Sequence, residues 1–124
     1  MKLTGKAQEE FKKWLNTQKY GLVWRPKHER HAHIIPQEEY FNKLPQSMKW
    51  GVYVDFFDSQ GIHFACYASL GDKNVFEYSY MFDAHCVQDQ FVGEYFKTRD
   101  EARKSAIEQA NKILNEKLKT NNKE

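Results

Sequence analysis

The stretch PQSMKWGVYVDFFDSQG, residues 45–61, decides the fold, because it satisfies two incompatible periods. Read as a strand, 49–57 puts Trp50, Val52, Val54 and Phe56 on one face, with the β-branched and aromatic side chains that a pleated sheet accommodates. Read as a helix, it opens at Pro45, whose fixed φ and missing N–H suit a first turn, and closes at Gly61, where a left-handed residue ends helices. The helix also gathers Ser47, Gly51, Asp55 and Asp58 into one polar strip. The balance falls slightly to the helix. The strand alternative would give the order helix, three or four strands, helix.

On the C-terminal side, IHFACYAS (62–69) places Ile62, Phe64, Cys66 and Ala68 on one face. In 74–82, Phe76, Tyr78, Tyr80 and Phe82 alternate with Val75, Glu77, Ser79 and Met81, so one face is wholly aromatic. The intervening LGDK is hairpin material, and the two strands are expected to pair antiparallel. Helices with apolar faces must cover something, so the aromatic stripe is expected to be core rather than a base-stacking platform. A third, shorter strand is expected at 91–96.

The chain ends carry helix signals. Thr98 and Glu101 form a T-x-x-E capping box, followed by Ala102, Ala106, Ile107, Ala110, Ile113, Leu114 and Leu118 at three- and four-residue steps. This predicts a helix over 98–118, with a frayed tail at 119–124. Near the start, Thr4 is expected to cap a helix whose Ala7, Phe11, Trp14 and Leu15 share a face, ending near Tyr20 and Gly21. Residues 21–36 read as an irregular connection holding at most a short strand, and 37–44 as a short helical turn. The expected fold class is therefore α+β: one domain over 1–124, with a small antiparallel β-sheet of two to four strands covered by N- and C-terminal α-helices.

Composition excludes several classes. In 124 residues there are 9 Phe, 7 Tyr and 3 Trp, too large an apolar payload for a disordered chain. No run approaches the roughly 20 apolar residues of a membrane span, and MKLTGKAQEE lacks the apolar core of an export signal. Cys66 and Cys86 are too few for a disulfide framework and read as reduced thiols of a cytoplasmic protein. The net charge of +2 is too small to argue for nucleic acid or membrane by itself. It is unevenly spread: residues 1–31 hold eight basic and three acidic side chains, residues 72–94 one basic and five acidic.

The reactive residue types do not assemble into a motif. His28, Glu29, His31 and His33 crowd into KHERHAH, and His63, Cys66, His85 and Cys86 follow, all of them zinc-compatible types. No C-x-x-C or H-E-x-x-H spacing organises them, so His28, His31 and His33 are weak metal candidates and no cofactor is expected. Cys86 beside His85 is a poor nucleophile pair, because adjacent side chains point apart. Asp55 and Asp58 would face one way on a helix, as a hydrolase pair requires, although a solvated helix end explains them as well. The six glycines, at 5, 21, 51, 61, 71 and 93, stand singly and form no phosphate loop. If 49–57 is a strand, the order of elements suggests a double-stranded RNA-binding domain, with Lys97, Arg99, Arg103 and Lys104 meeting phosphates and Asp100 and Glu101 diluting the patch.

LPQSMKWGVYVDFFDSQGI (44–62), taken with TRDEARKSAIEQANKIL (98–114) and with 3–7, resembles a group of small uncharacterised proteins encoded in Bacteroidetes genomes, often on prophages or other mobile elements. The resemblance implies a genomic setting and carries no functional residue over. The expectation is a non-enzymatic accessory protein that binds an unknown protein partner, a homodimer being one form. A nucleic-acid-binding module is the alternative, and a small metal- or thiol-dependent enzyme the second.

Overall fold

The computed structural model describes residues 2–18, 23–24, 33–34, 37–71, 73–83 and 95–121. Their order is α1 (Gly5–Thr17), β1 (Val23–Trp24), β2 (His33–Ile34), α2 (Gln37–Asn42), α3 (Gln46–Ser59), β3 (Phe64–Leu70), β4 (Phe76–Phe82) and α4 (Arg99–Asn121). The class is α+β, with helices at both ends and a two-stranded antiparallel sheet between them. β1 and β2 form a separate antiparallel pair of two residues each, within the segment expected to be irregular.

The ambiguous segment is helical. Pro45 occupies the N-cap, one residue earlier than anticipated, and its carbonyl accepts the N–H groups of Met48 and Lys49, both at 3.0 Å. At the other end Gly61 adopts φ +78°, its N–H reaching the Asp58 carbonyl at 3.1 Å, while the Ile62 N–H reaches that of Phe57 at 2.9 Å. This paired closure needs a left-handed residue between helix and exit, and Ile62 is buried beside it. α3 buries Val52, Tyr53, Phe56 and Phe57, while Ser47, Gly51, Asp55 and Asp58 stay exposed as the helical reading requires. The strand alternative is thereby replaced, and with it the order of elements that suggested a double-stranded RNA-binding domain.

The core is aromatic. Phe11 of α1 packs 5.1 Å from the ring centres of Phe41 and Tyr53 and 5.2 Å from that of Phe56. Phe57 continues this cluster to Phe64 and Phe82, and so joins the helices to the hairpin. α4 contributes Ala102, Ala106, Ile107, Ala110 and Leu114, all fully buried, and its small alanines let the backbone lie close to its neighbours. Thr98 caps it, accepting the Glu101 N–H at 3.2 Å. The helix continues to Asn121, past the Leu118 at which fraying was expected, and the Thr120 hydroxyl donates to the Glu116 carbonyl at 3.0 Å.

At the start of the chain the expected cap is replaced. Thr4 holds the N-cap position of α1 but makes no capping bond; its hydroxyl accepts from the Asn111 side chain of α4 instead. α1 also stops at Thr17, earlier than Tyr20. The hairpin forms in the register Cys66↔Tyr80, Ala68↔Tyr78, and its turn bends through Asn74 at φ 57°. The aromatic stripe is graded along its length: Tyr80 and Phe82 are buried, Tyr78 is half-buried, and Phe76 is exposed. Of the expected third strand, residues 91–94 lie outside the described residues, and Phe96 exchanges both backbone bonds with Tyr78 at 2.9 and 2.7 Å.

Candidate binding cleft along the open edge of the sheet

β3 has one paired side. The Asp83 N–H bonds to the His63 carbonyl at 2.8 Å and the Gly71 N–H to the Val75 carbonyl at 2.9 Å, which fixes the odd-numbered positions of β3 as those facing β4. Phe64, Cys66, Ala68 and Leu70 therefore direct their backbone N–H and C=O groups outward. Among the described residues no strand pairs with that edge. Charged side chains, Pro and bulges are the usual protections of a free edge, and FACYASL has neither a charge nor a proline.

Beside this edge lies a cleft of about 340 Å³. One wall is the run of β3 from Phe64 to Ala68; consecutive residues line it because the cleft follows the strand's edge rather than either of its faces. The other wall is Trp50 and Val54 from α3 with Arg99 and Arg103 from α4, and Tyr78 lies at one end. Arg99 sits with its guanidinium carbon 5.5 Å from the Tyr78 ring centre, and Arg103 sits at the same distance from Trp50. Four-residue spacing puts both arginines on one side of α4. The aromatic faces hold the planar cations in place without neutralising them.

Neither guanidinium has a carboxylate within ion-pairing distance among the described residues. The Nε of Arg103 is shielded from solvent and meets no acceptor among the described residues. Such a donor costs about 1–3 kcal/mol to bury, so the placement of Arg103 is not explained by stability alone. Between the arginines lies Cys66. Burial pushes its thiol up from 9.0 to about 11, with the cations of Arg103 and then Arg99 pulling the other way. The sulfur is therefore a neutral thiol near pH 7, the opposite of an activated nucleophile.

The four basic residues singled out in the sequence are divided by the fold. Arg99 and Arg103 line the cleft. Lys97 lines a separate concavity with Val75, Phe76 and Tyr95, and Lys104 is exposed about 100° further round α4 from Arg103. Among the metal candidates, His28 and His31 lie outside the described residues, and of His33 only the backbone, in β2, is described. His85 and Cys86 also lie outside them. His63 Nδ1 meets Asp58 Oδ1 at 2.9 Å on the exposed surface, with Asp55 one turn back along α3. Among the described residues, no group of three or more His, Cys, Asp or Glu converges on a point, and no helix is long and apolar enough to cross a membrane.

Sequence reasoning did not identify Trp50, Tyr78 or the β3 edge as parts of one site. In the sequence the arginines stand out, together with Lys97 and Lys104, for their place at the start of the last helix; the edge had no local signal, since a missing neighbour leaves no trace in the strand itself.

Fold and cleft together define a small α+β domain in which the β3 edge, unpaired among the described residues, is walled by arginine and aromatic side chains. Comparison with family models, with curated proteins and with solved structures finds no match to this chain.

Proposed function

We propose that this chain is a non-catalytic protein-binding module, an accessory of a prophage or other mobile element acting in the cytoplasm, which takes up an extended segment of a partner protein along the open edge of β3. The observation that carries the reading is the row of outward backbone groups at Phe64, Cys66, Ala68 and Leu70 opening on a cleft. Strand addition supplies affinity through main-chain hydrogen bonds, and adjacent pockets supply selectivity through alternate side chains. The nucleic-acid alternative has less support: Arg99 and Arg103 lie over rings that line the cleft, and Lys97 and Lys104 lie apart from them.

Ala68→Pro tests the reading. The N–H of residue 68 points away from β4, so proline removes a donor from the open edge without breaking a bond of the β3–β4 ladder. Extended peptides selected on the native protein should lose affinity for the variant, while its circular dichroism stays native. Equal affinity for both proteins would remove the proposal. A gel shift of duplex RNA at low salt that disappears at moderate salt would favour the alternative.

A further inference from the structure

The cleft carries a more specific instruction than strand addition. Three contacts set the direction of α4 across the sheet. Arg99 lies over Tyr78, opposite Ala68; Ser105 and the Tyr80 hydroxyl share a hydrogen bond at 2.9 Å, opposite Cys66; Arg103 lies over Trp50, whose ring meets Phe64 at 5.5 Å. From Arg99 to Arg103 the helix therefore advances in the direction that β3 runs backward, from Ala68 toward Phe64. Four helical residues rise about 6 Å, and two residues of extended chain span about 6.6 Å. Two side chains on one face of an added strand thus match the axial rise between Arg99 and Arg103 along α4.

Both cations lack a carboxylate partner among the described residues, and Cys66 between them is a protonated thiol that neutralises neither. Resting on the strand-addition reading, we infer that the segment recognised is acidic with alternate spacing: Asp or Glu, any residue, Asp or Glu, with both carboxylates on the side facing α4 and paired to Arg103 and Arg99. The intervening side chain points to the other face of the sheet, where Ala65 and Met81 leave an exposed, shallow apolar concavity with Tyr67. An apolar residue fits there. Charge complementarity selects the partner, and the backbone edge holds it.

The experiment uses fluorescein-labelled strand-forming heptapeptides, Thr-Val-Glu-Val-Glu-Val-Thr and two controls, titrated by anisotropy into the full chain. One control replaces both Glu with Gln. The other keeps two Glu but makes them adjacent, so that net charge is unchanged and only one carboxylate can face α4. The alternate-acid peptide should bind at least about tenfold more tightly than either control, the worth of one charge-assisted hydrogen bond. Arg99→Gln, at an exposed position, and Arg103→Gln should each erase most of that difference.

If all three peptides bind alike and all lose affinity to Ala68→Pro, strand addition survives and the acidic code is overturned. If none binds, or if binding ignores Ala68→Pro, both are overturned. If the adjacent-acid control equals the alternate-acid peptide while the Gln control is weaker, charge matters without register, and the alternate spacing is overturned.

Discussion

Asn115 Oδ1 accepts the Ala7 N–H at 2.8 Å, so the first turn of α1 is capped by a residue 108 positions away. The same amide donates to the Thr4 carbonyl at 3.0 Å, and one turn earlier Asn111 accepts the Thr4 N–H at 3.0 Å. Asn115 thus does what the Thr4 hydroxyl was expected to do, and Asn111 ties down the N-cap residue itself. Gly5 completes the arrangement: its φ is +64°, and an added Cβ would stand 3.0 Å from Asn115 Oδ1.

Asn115→Ala should therefore lower stability by about 1–2 kcal/mol, the usual worth of a helix cap, seen as a fall of a few degrees in the thermal midpoint. Gly5→Ala should cost about 1 kcal/mol or more from the left-handed backbone, plus the crowding of Asn115. In the double variant the crowding is gone, so the combined loss should be smaller than the two single losses added. Strict additivity would show that Asn115 does not press on residue 5.

Alkaline stability offers a second check. Burial raises the Cys66 thiol from 9.0 to about 11 and the Tyr53 phenol from 10.0 to about 12. Both groups are neutral when protonated, and the folded state holds these protons more firmly than the unfolded chain does. Their contribution is complete below pH 9 and is lost as the pH rises through 11 for the thiol and 12 for the phenol. Urea midpoints should fall steadily above pH 9. Cys66→Ala should remove the earlier part of the decline and Tyr53→Phe the later part. A midpoint unchanged between pH 8 and 11 in the native protein would contradict the burial of both groups.

Gln37 gives the opposite case, a substitution that should help. The residue is 5% exposed, yet among the described residues neither its Oε1 nor its Nε2 has a hydrogen-bond partner. An unsatisfied buried amide costs about 1–3 kcal/mol, and methionine has nearly the same shape without polar atoms. Gln37→Met should raise the urea midpoint, whereas Gln37→Glu, which buries a charge with no partner, should lower it. A fall in both would mean that the amide makes bonds in solution.

These cases show which parts of the fold are written locally. The Thr98–Glu101 cap, the alanine stripe of α4, the Pro45 and Gly61 boundaries of α3 and the alternation in β4 lie within a few residues of what they determine, and each was legible. The capping of α1 by Asn115 was not, because it depends on where α4 comes to rest. The cleft is similar. Arg99 and Arg103 were candidates from the start, but their separation from Lys97 and Lys104 follows from the rotation of α4 on the sheet. That rotation is set by Ala102, Ala106 and Ala110 turning inward. The aromatic residues the arginines meet come from α3 and β4, 53 positions away for Arg103 and 21 for Arg99. Hydrophobic period gives a helix its buried face; only packing gives that face its neighbours.

The contact of Arg103 with Trp50 lends itself to a double-mutant cycle. Both residues are half-buried, and the guanidinium carbon stands 5.5 Å from the ring centre. Arg103→Ala and Trp50→Ala each remove packing as well as the cation–ring attraction, so neither single loss measures the pair. The coupling between them should be about 0.5–2 kcal/mol, the range from exposed to desolvated cation–π pairs. Arg103→Lys should recover little of it, because an ammonium cannot stack its plane on indole. The relief of the unpartnered Arg103 Nε works the other way and reduces the apparent cost of Arg103→Ala alone. A cationic side chain held over a ring and left without a carboxylate among the described residues predicts a modest stability loss but a large loss of peptide discrimination. Equal sensitivity of stability and discrimination to Arg103→Ala would assign the residue to the scaffold instead.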